Sequence, residues 1–172
     1  ADDPRWTVPL HFVFQKGKTR LIHDCRACVD GFCINDVLLG IMDYLTPMKR
    51  PLRNWRKYPF VMTYDIIGFF YRVLLHKWDR NAFRCYFFAD ETMKRKILLR
   101  TLSQPFGGAS SPNICGFILR YHAEKMRPEF GDRIADAIKD DFYVDDGVGG
   151  ADSEKEYREF KVGIEEAMKR GG

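Results

Sequence analysis

Residues 141–149 read Asp-Phe-Tyr-Val-Asp-Asp-Gly-Val-Gly, two β-prone stretches on either side of an acidic pair. Asp and Gly are turn residues, so the pattern predicts two short strands joined by a turn carrying Asp145 and Asp146. A third carboxylate, Asp65, closes the apolar run at residues 60–66 (FVMTYDI), which reads as a buried strand. A carboxylate at a buried strand end is costly unless a cation neutralises it. Carboxylates from neighbouring strands can hold two Mg2+ ions roughly 3.5–4 Å apart, the geometry of in-line phosphoryl displacement. Hard oxygen ligands suit Mg2+, which keeps positions for water and substrate phosphates. The plainer alternative is that Asp145–Gly147 is a turn and nothing more, and spacing alone leaves both open.

The flanking elements follow from periodicity. Residues 8–14 (VPLHFVF) and 19–23 (TRLIH) predict a β-hairpin with Lys16 and Lys18 at its turn. Asn35 is the expected cap of a helix running to Leu45, with Leu38, Ile41, Met42 and Leu45 on one face. Residues 46–57 (TPMKRPLRNWRK) read as a proline-broken basic connector, either a solvated face or a track for a nucleic-acid backbone. Residues 83–88 and 95–101 form a second expected hairpin. Ser111-Pro112 opens a helix with Ile114, Phe117, Ile118 and Tyr121. Ser153 and Glu156 form a capping box for a last helix with Tyr157, Phe160, Ile164 and Met168 inward. Phe117, Tyr121, Tyr157 and Phe160 are thus expected in a helix-to-sheet core. The order gives an α+β fold, an antiparallel sheet with helices on one face.

Composition narrows the chemistry. With 45% hydrophobic and 30% charged residues the chain can bury a core, which excludes a disordered tail. No apolar run reaches the length of a membrane span, and no leader is visible, so the expectation is a soluble, non-secreted protein without a membrane partner. A net charge of +4 permits nucleic acid without demanding it. Five cysteines, an odd count, fit a reducing compartment. Cys25, Cys28 and Cys33 have the opening spacing of a zinc knuckle, but Leu38 stands where a fourth ligand is needed, so small buried hydrophobes is the better reading. Gly108–Pro112 lacks the second glycine of a serine-hydrolase elbow, and there is no P-loop and no H-E-x-x-H.

Tyr143-Val144-Asp145-Asp146 resembles the YxDD box of reverse transcriptases, and further blocks fall in matching order. Asp65 with Phe70 resembles the first catalytic block, Pro105-Phe106-Gly107 with Pro112 the block before the palm helix, and Arg20 to Asp24 the nucleotide-contacting fingers strand. With PLHFV and INDVLL beside them, the chain looks most like the BEL/Pao group of LTR retrotransposons, with Ty3/Gypsy next.

The resemblance implies a reverse-transcriptase-like right hand: residues 1–58 as fingers, joined by about 76–104, and residues 59–172 as palm, with the thumb absent. It implies an RNA-directed DNA polymerase adding dNTPs to a primer 3'-hydroxyl on an RNA or DNA template. Asp65, Asp145 and Asp146 would be catalytic and would hold two Mg2+ ions, Mn2+ substituting, with the Ile66 carbonyl as a further metal ligand. Arg20, Asp24, Phe70, Phe106, Gly107 and either Lys16 or Lys18 would contact the nucleotide, Phe70 as a steric gate against a ribose 2'-hydroxyl. Tyr143 and Pro105 would lie along primer and template. The implied partners are primer-template, dNTPs and the remainder of a Gag-Pol-type polyprotein (thumb, RNase H, integrase). The implied location is cytoplasmic virus-like particles, with the nucleus as alternative. The competing expectation is a catalytically silent nucleic-acid-binding or structural relic of a domesticated retroelement.

Overall fold

The structure, a computed structural model, describes residues 6–15, 17–38, 43–90 and 92–171. Its elements in the first half are β1 (Leu10–Gln15), β2 (Lys18–His23), α1 (Ile34–Val37), α2 (Lys49–Trp55), β3 (Phe60–Asp65) and α3 (Phe69–Arg72). They continue with β4 (Arg84–Phe88), β5 (Lys96–Arg100), α4 (Ser111–Asp140), β6 (Phe142–Tyr143), β7 (Asp146–Ala151) and α5 (Glu154–Lys169). The chain forms two compact units, one of Ala1–Ile41 and Phe70–Ser111, the other of Met42–Phe69 and Pro112–Gly172.

Two antiparallel hairpins build the first unit. β1 and β2 pair from Leu10 opposite His23 to Gln15 opposite Lys18, and β4 and β5 from Arg84 opposite Arg100 to Phe88 opposite Lys96. The Val8 N–H donates to the Arg84 carbonyl at 2.7 Å, tying the lead into β1 to β4. Val8, Cys25, Ile34, Leu75 and Phe83 form the core, with Trp6 and Leu38 against it. The cysteines are thus small buried hydrophobes, Cys28 excepted, which is exposed.

The expected helix from Asn35 to Leu45 is a four-residue turn. It starts after Cys33, whose N–H donates to the Asp36 carboxylate at 3.0 Å, and ends at Leu38, whose backbone is extended. Asn35 does not cap it, because its amide is engaged with the loop at residues 107–109. Ile41 and Met42 lie outside the described residues, and Asp43 to Leu45 are not helical.

In the second unit β3, β7 and β6 form an antiparallel sheet in the order β3-β7-β6. β3 runs against β7 from Phe60 opposite Ala151 to Asp65 opposite Asp146. β3 is not the buried strand that its composition suggests: Met62 is buried and Tyr64 half-buried, while Phe60, Val61, Thr63 and Asp65 are exposed. A small antiparallel sheet needs to bury one face only. Ile134, Ala135, Ala137 and Ile138 of α4 and Phe160, Ile164 and Ala167 of α5 complete this unit's core. The Ser153 cap is present, its hydroxyl accepting from the Glu156 N–H at 3.3 Å.

Two expectations fail here for identifiable reasons. The basic connector contains α2, because Pro51 falls in the helix's first turn, where a missing N–H costs nothing. Two of its residues bind the end of α4 and the residue after it: Arg50, itself exposed, pairs with Asp140 at 2.6 Å and Asn54 donates to Asp141 at 2.7 Å. Phe117 and Tyr121 are exposed rather than core, since α4 buries the alternative stripe of Cys115, Leu119 and Ala123. Their rings stack on one another at 6.4 Å, with Tyr44 edge-on to Phe117. α4 itself breaks at Gly131, whose φ is +79°, three residues after Pro128.

Gly147 is opposite both Tyr64 and Phe142, and those two rings stack 5.9 Å apart. A Cβ on Gly147 would come within 2.6 Å of the buried Phe142 ring. Gly147→Val is therefore expected to destabilise the protein by about 1–3 kcal/mol or more, read by urea unfolding.

Candidate functional site

The β3–β7 register brings the acidic residues to one end of the sheet. Asp65 is directly opposite Asp146, which is in turn opposite Tyr143 on β6. Directly opposed residues project to the same side of a sheet. Asp65, Asp146 and Tyr143 therefore share a face, opposite the one on which Met62 and Tyr64 are covered. All three are exposed. Asp145 is half-buried in the turn, its carbonyl accepting from the Ile66 N–H at 3.0 Å, so the turn is bonded to the residue after Asp65. Burial pushes the Cys115 thiol on α4 up to about 12, and the negative charge of Asp145 adds to that rise.

Val144 has φ +57°, a conformation that a β-branched residue adopts only under constraint. Such strain costs on the order of 1–3 kcal/mol and persists where its surroundings over-determine it. Here two paired strands enforce the turn, and the strained residue stands between Tyr143 and the two carboxylates.

Three carboxylates with a backbone carbonyl nearby are a hard-oxygen donor set of the type that suits Mg2+. The Ile66 carbonyl already accepts from the Phe69 N–H at 3.2 Å, which leaves its second lone pair for any ligand. Among the described residues, no three His, Cys, Asp or Glu side chains form a group that could hold a metal ion. That statement covers the cysteines of the knuckle-like spacing as well.

The remaining candidate residues lie in the first unit. Arg20, on β2 opposite Val13, is exposed and donates to the Gln15 side chain at 3.0 Å. Lys18 is exposed at the start of β2, and Lys16 lies outside the described residues. Asp24 is occupied locally, its carboxylate accepting from the Arg26 N–H at 3.2 Å. The Phe70 and Phe106 rings are 4.7 Å apart, with Tyr71 edge-on to Phe106 at 5.2 Å. Pro105 is fully buried, and its carbonyl accepts from the Ser111 hydroxyl at 3.0 Å.

Around Phe106 and Gly107 the loop is fixed from both sides. The His23 N–H donates to the Phe106 carbonyl at 2.8 Å. The Asn35 amide donates to the Gly107 carbonyl at 3.1 Å and accepts from the Ala109 N–H at 2.9 Å. Asn35 is the positioning residue that sequence reasoning assigned elsewhere: an Asn before an apolar run looks like a helix cap, and nothing local reveals a partner more than 70 residues away. His23 is anchored in turn, its Nε2 being 2.8 Å from the Thr101 hydroxyl, which donates to the Phe83 carbonyl at 2.9 Å. With that hydroxyl proton committed, Nε2 carries the imidazole proton, and burial holds His23 below the ordinary histidine range.

Gly107 has φ +113°, and a Cβ there would collide with the His23 carbonyl. Gly107→Ala is expected to destabilise the protein by about 2 kcal/mol or more through combined strain and clash, measured as a fall in Tm.

No protein-family profile matches the chain, and no curated protein matches it. Among solved structures it is similar to a foamy viral protease-reverse transcriptase in complex with double-stranded DNA, with a TM-score of 0.69 and 15% identity over 99% of this chain. The chain spans 26% of that protein's length. At this identity the likeness shows the fold alone: mixed helices and antiparallel sheet, with a reverse transcriptase as structural neighbour.

Proposed function

We propose that the chain is the fingers and palm of an RNA-directed DNA polymerase from an LTR retrotransposon, of BEL/Pao type with Ty3/Gypsy next. The observation that carries this reading is the pairing of Asp65 with Asp146 beside the Tyr143–Asp146 turn, on a reverse-transcriptase-like fold. The reaction is nucleotidyl transfer, in which a primer 3'-hydroxyl attacks the α-phosphorus of a dNTP and pyrophosphate leaves. Asp65 and Asp145 would be the principal ligands for two Mg2+ ions, or Mn2+ in their place, with Asp146 and the Ile66 carbonyl in support. Bound by these residues, the ions would supply acidification of the primer hydroxyl and neutralisation of charge on the triphosphate.

The chain's own residues hold and orient the reactants, which is where most of phosphoryl-transfer catalysis originates. Arg20 grips triphosphate oxygens with its planar fork, and Lys18 or Lys16 adds a point charge. Phe70, backed by Phe106, is a floor against which a ribose 2'-hydroxyl would strike. Phe106 and Gly107 pack on the incoming nucleotide, Asp24 shapes the end of its strand, and Tyr143 and Pro105 lie along primer and template. The thumb, RNase H and integrase belong to other parts of a Gag-Pol-type polyprotein. Its working place is the virus-like particle in the cytoplasm, with the nucleus as alternative.

Primer extension on an RNA template tests the reading. Mg2+-dependent synthesis is expected from the polyprotein-length form and little from the 172-residue chain alone. Asp145→Asn is expected to lower the rate by at least roughly 100-fold. Absence of synthesis by the long form in either metal would instead favour the silent relic. Phe70→Ala is expected to raise the ratio of rNTP to dNTP incorporation by about 10-fold or more, measured by single-nucleotide addition, because removing the floor opens space for a 2'-hydroxyl.

A further inference from the structure

The hairpin of β4 and β5 has two unlike faces. Strand alternation and the pairing register put Cys85, Phe87, Ile97 and Leu99 on one side. That side carries no charge, and Cys85 on it is buried. The other side carries Arg84, Tyr86 and Phe88 from β4, opposite Arg100, Leu98 and Lys96 from β5. It combines two aromatic rings and three cations with Leu98 and includes no carboxylate. Lys96 confirms the shared face, its ammonium being 5.8 Å from the centre of the Tyr86 ring.

A solvated hairpin face would be built from Thr, Ser, Lys and Glu. This one leaves Tyr86 39% and Phe88 40% exposed. The described acid of the connecting turn, Asp90, lies beyond the paired residues of the face and is held within the turn. Its carboxylate accepts from the Thr92 hydroxyl and from the Lys94 and Arg95 N–H groups. Arg84, on the same face, has a buried Nε–H with no hydrogen-bond partner among the described residues.

We propose that this face is a stacking platform for single-stranded nucleic acid, built within the first unit from residues other than the candidate catalytic ones. Exposed rings beside cations are the combination that holds unpaired bases by their π-faces and the backbone by its phosphates. Tyr86 and Phe88 are two residues apart on one strand, about 6.8 Å, which spaces the rings for two bases rather than one. Arg84, Lys96 and Arg100 supply the phosphate contacts. A protein partner docking on apolar surface would be met better by the uncharged face, whereas three cations without an acid suit a polyanion. The platform stands whether or not the chain polymerises.

The test is anisotropy with short fluorescein-labelled oligo(U) and oligo(dT), using the full 172-residue chain. Tyr86→Ala and Phe88→Ala are each expected to weaken binding about 5- to 100-fold, with similar effects on the two sequences. Lys96→Ala and Arg100→Ala are each expected to lower the slope of log affinity against log salt by roughly 0.7. Photocrosslinking to 4-thiouridine should map to residues 84–100. Unchanged affinity in aromatic variants that melt like the parent overturns the proposal. Should those variants fail to fold, K96E with R100E decides it, since both side chains are exposed, and unchanged affinity there overturns it equally. Self-association in sedimentation that the aromatic variants abolish, with oligonucleotide affinity intact, overturns it in favour of a protein interface. Absence of primer extension with oligo(U) binding intact would sink the polymerase reading alone.

Discussion

Two aromatic rings closing over a glycine set the geometry on which the candidate site depends. Tyr64 and Phe142 flank Gly147 from the two neighbouring strands and stack across it, which is possible only because that position has no side chain. A slip of one residue would put a side chain into that gap and send Asp146 to the other face of the sheet. Packing on the covered face thereby fixes which residues stand together on the open one. Asp65 opposite Asp146 follows from the fit of the rings and needs no attraction between the acids, which as like charges repel.

The same economy governs the turn and the far end of α4. Strain at Val144 is held by strands on both sides and aims the chain between Tyr143 and Asp145. At α4 the basic composition is spent on ion pairs within the chain: Arg50 is bound to Asp140, while Arg127 pairs with Glu124, Asp132 and Asp136 beside the helix break. A modest net charge therefore conceals a wide difference between paired cations there and the acid-free face of the β4–β5 hairpin.

Local pattern and long-range packing divided what could be read in advance. Both hairpins, the acidic turn and the capped last helix declared themselves, because alternation, turn residues and a Ser-x-x-Glu box act within a few positions. The place of Asp145 and Asp146 where those two strands meet was legible for the same reason. Errors arose where a residue's partner is distant. Asn35 looked like a cap and is a clamp on another loop. The proline in the basic segment looked like a breaker and sits where a helix tolerates it. Phe117 and Tyr121 have helical spacing, but that spacing cannot say which of two apolar stripes is buried, and the narrower one, with Cys115 and Ala123, is. Side-chain closure around a metal is likewise beyond any spacing argument.

The division into two units has a consequence for heredity. The chain passes from the first unit to the second after Ile41, returns at Phe70 and leaves again after Ser111. Neither unit is a contiguous stretch of sequence, so any single crossover between two diverged copies of the gene splits at least one unit between two parents. The hydrophobic core of that unit would then be assembled from halves that had never been selected together. Lineages carrying this interleaved arrangement should accordingly exchange it whole, and diversify it by point substitution.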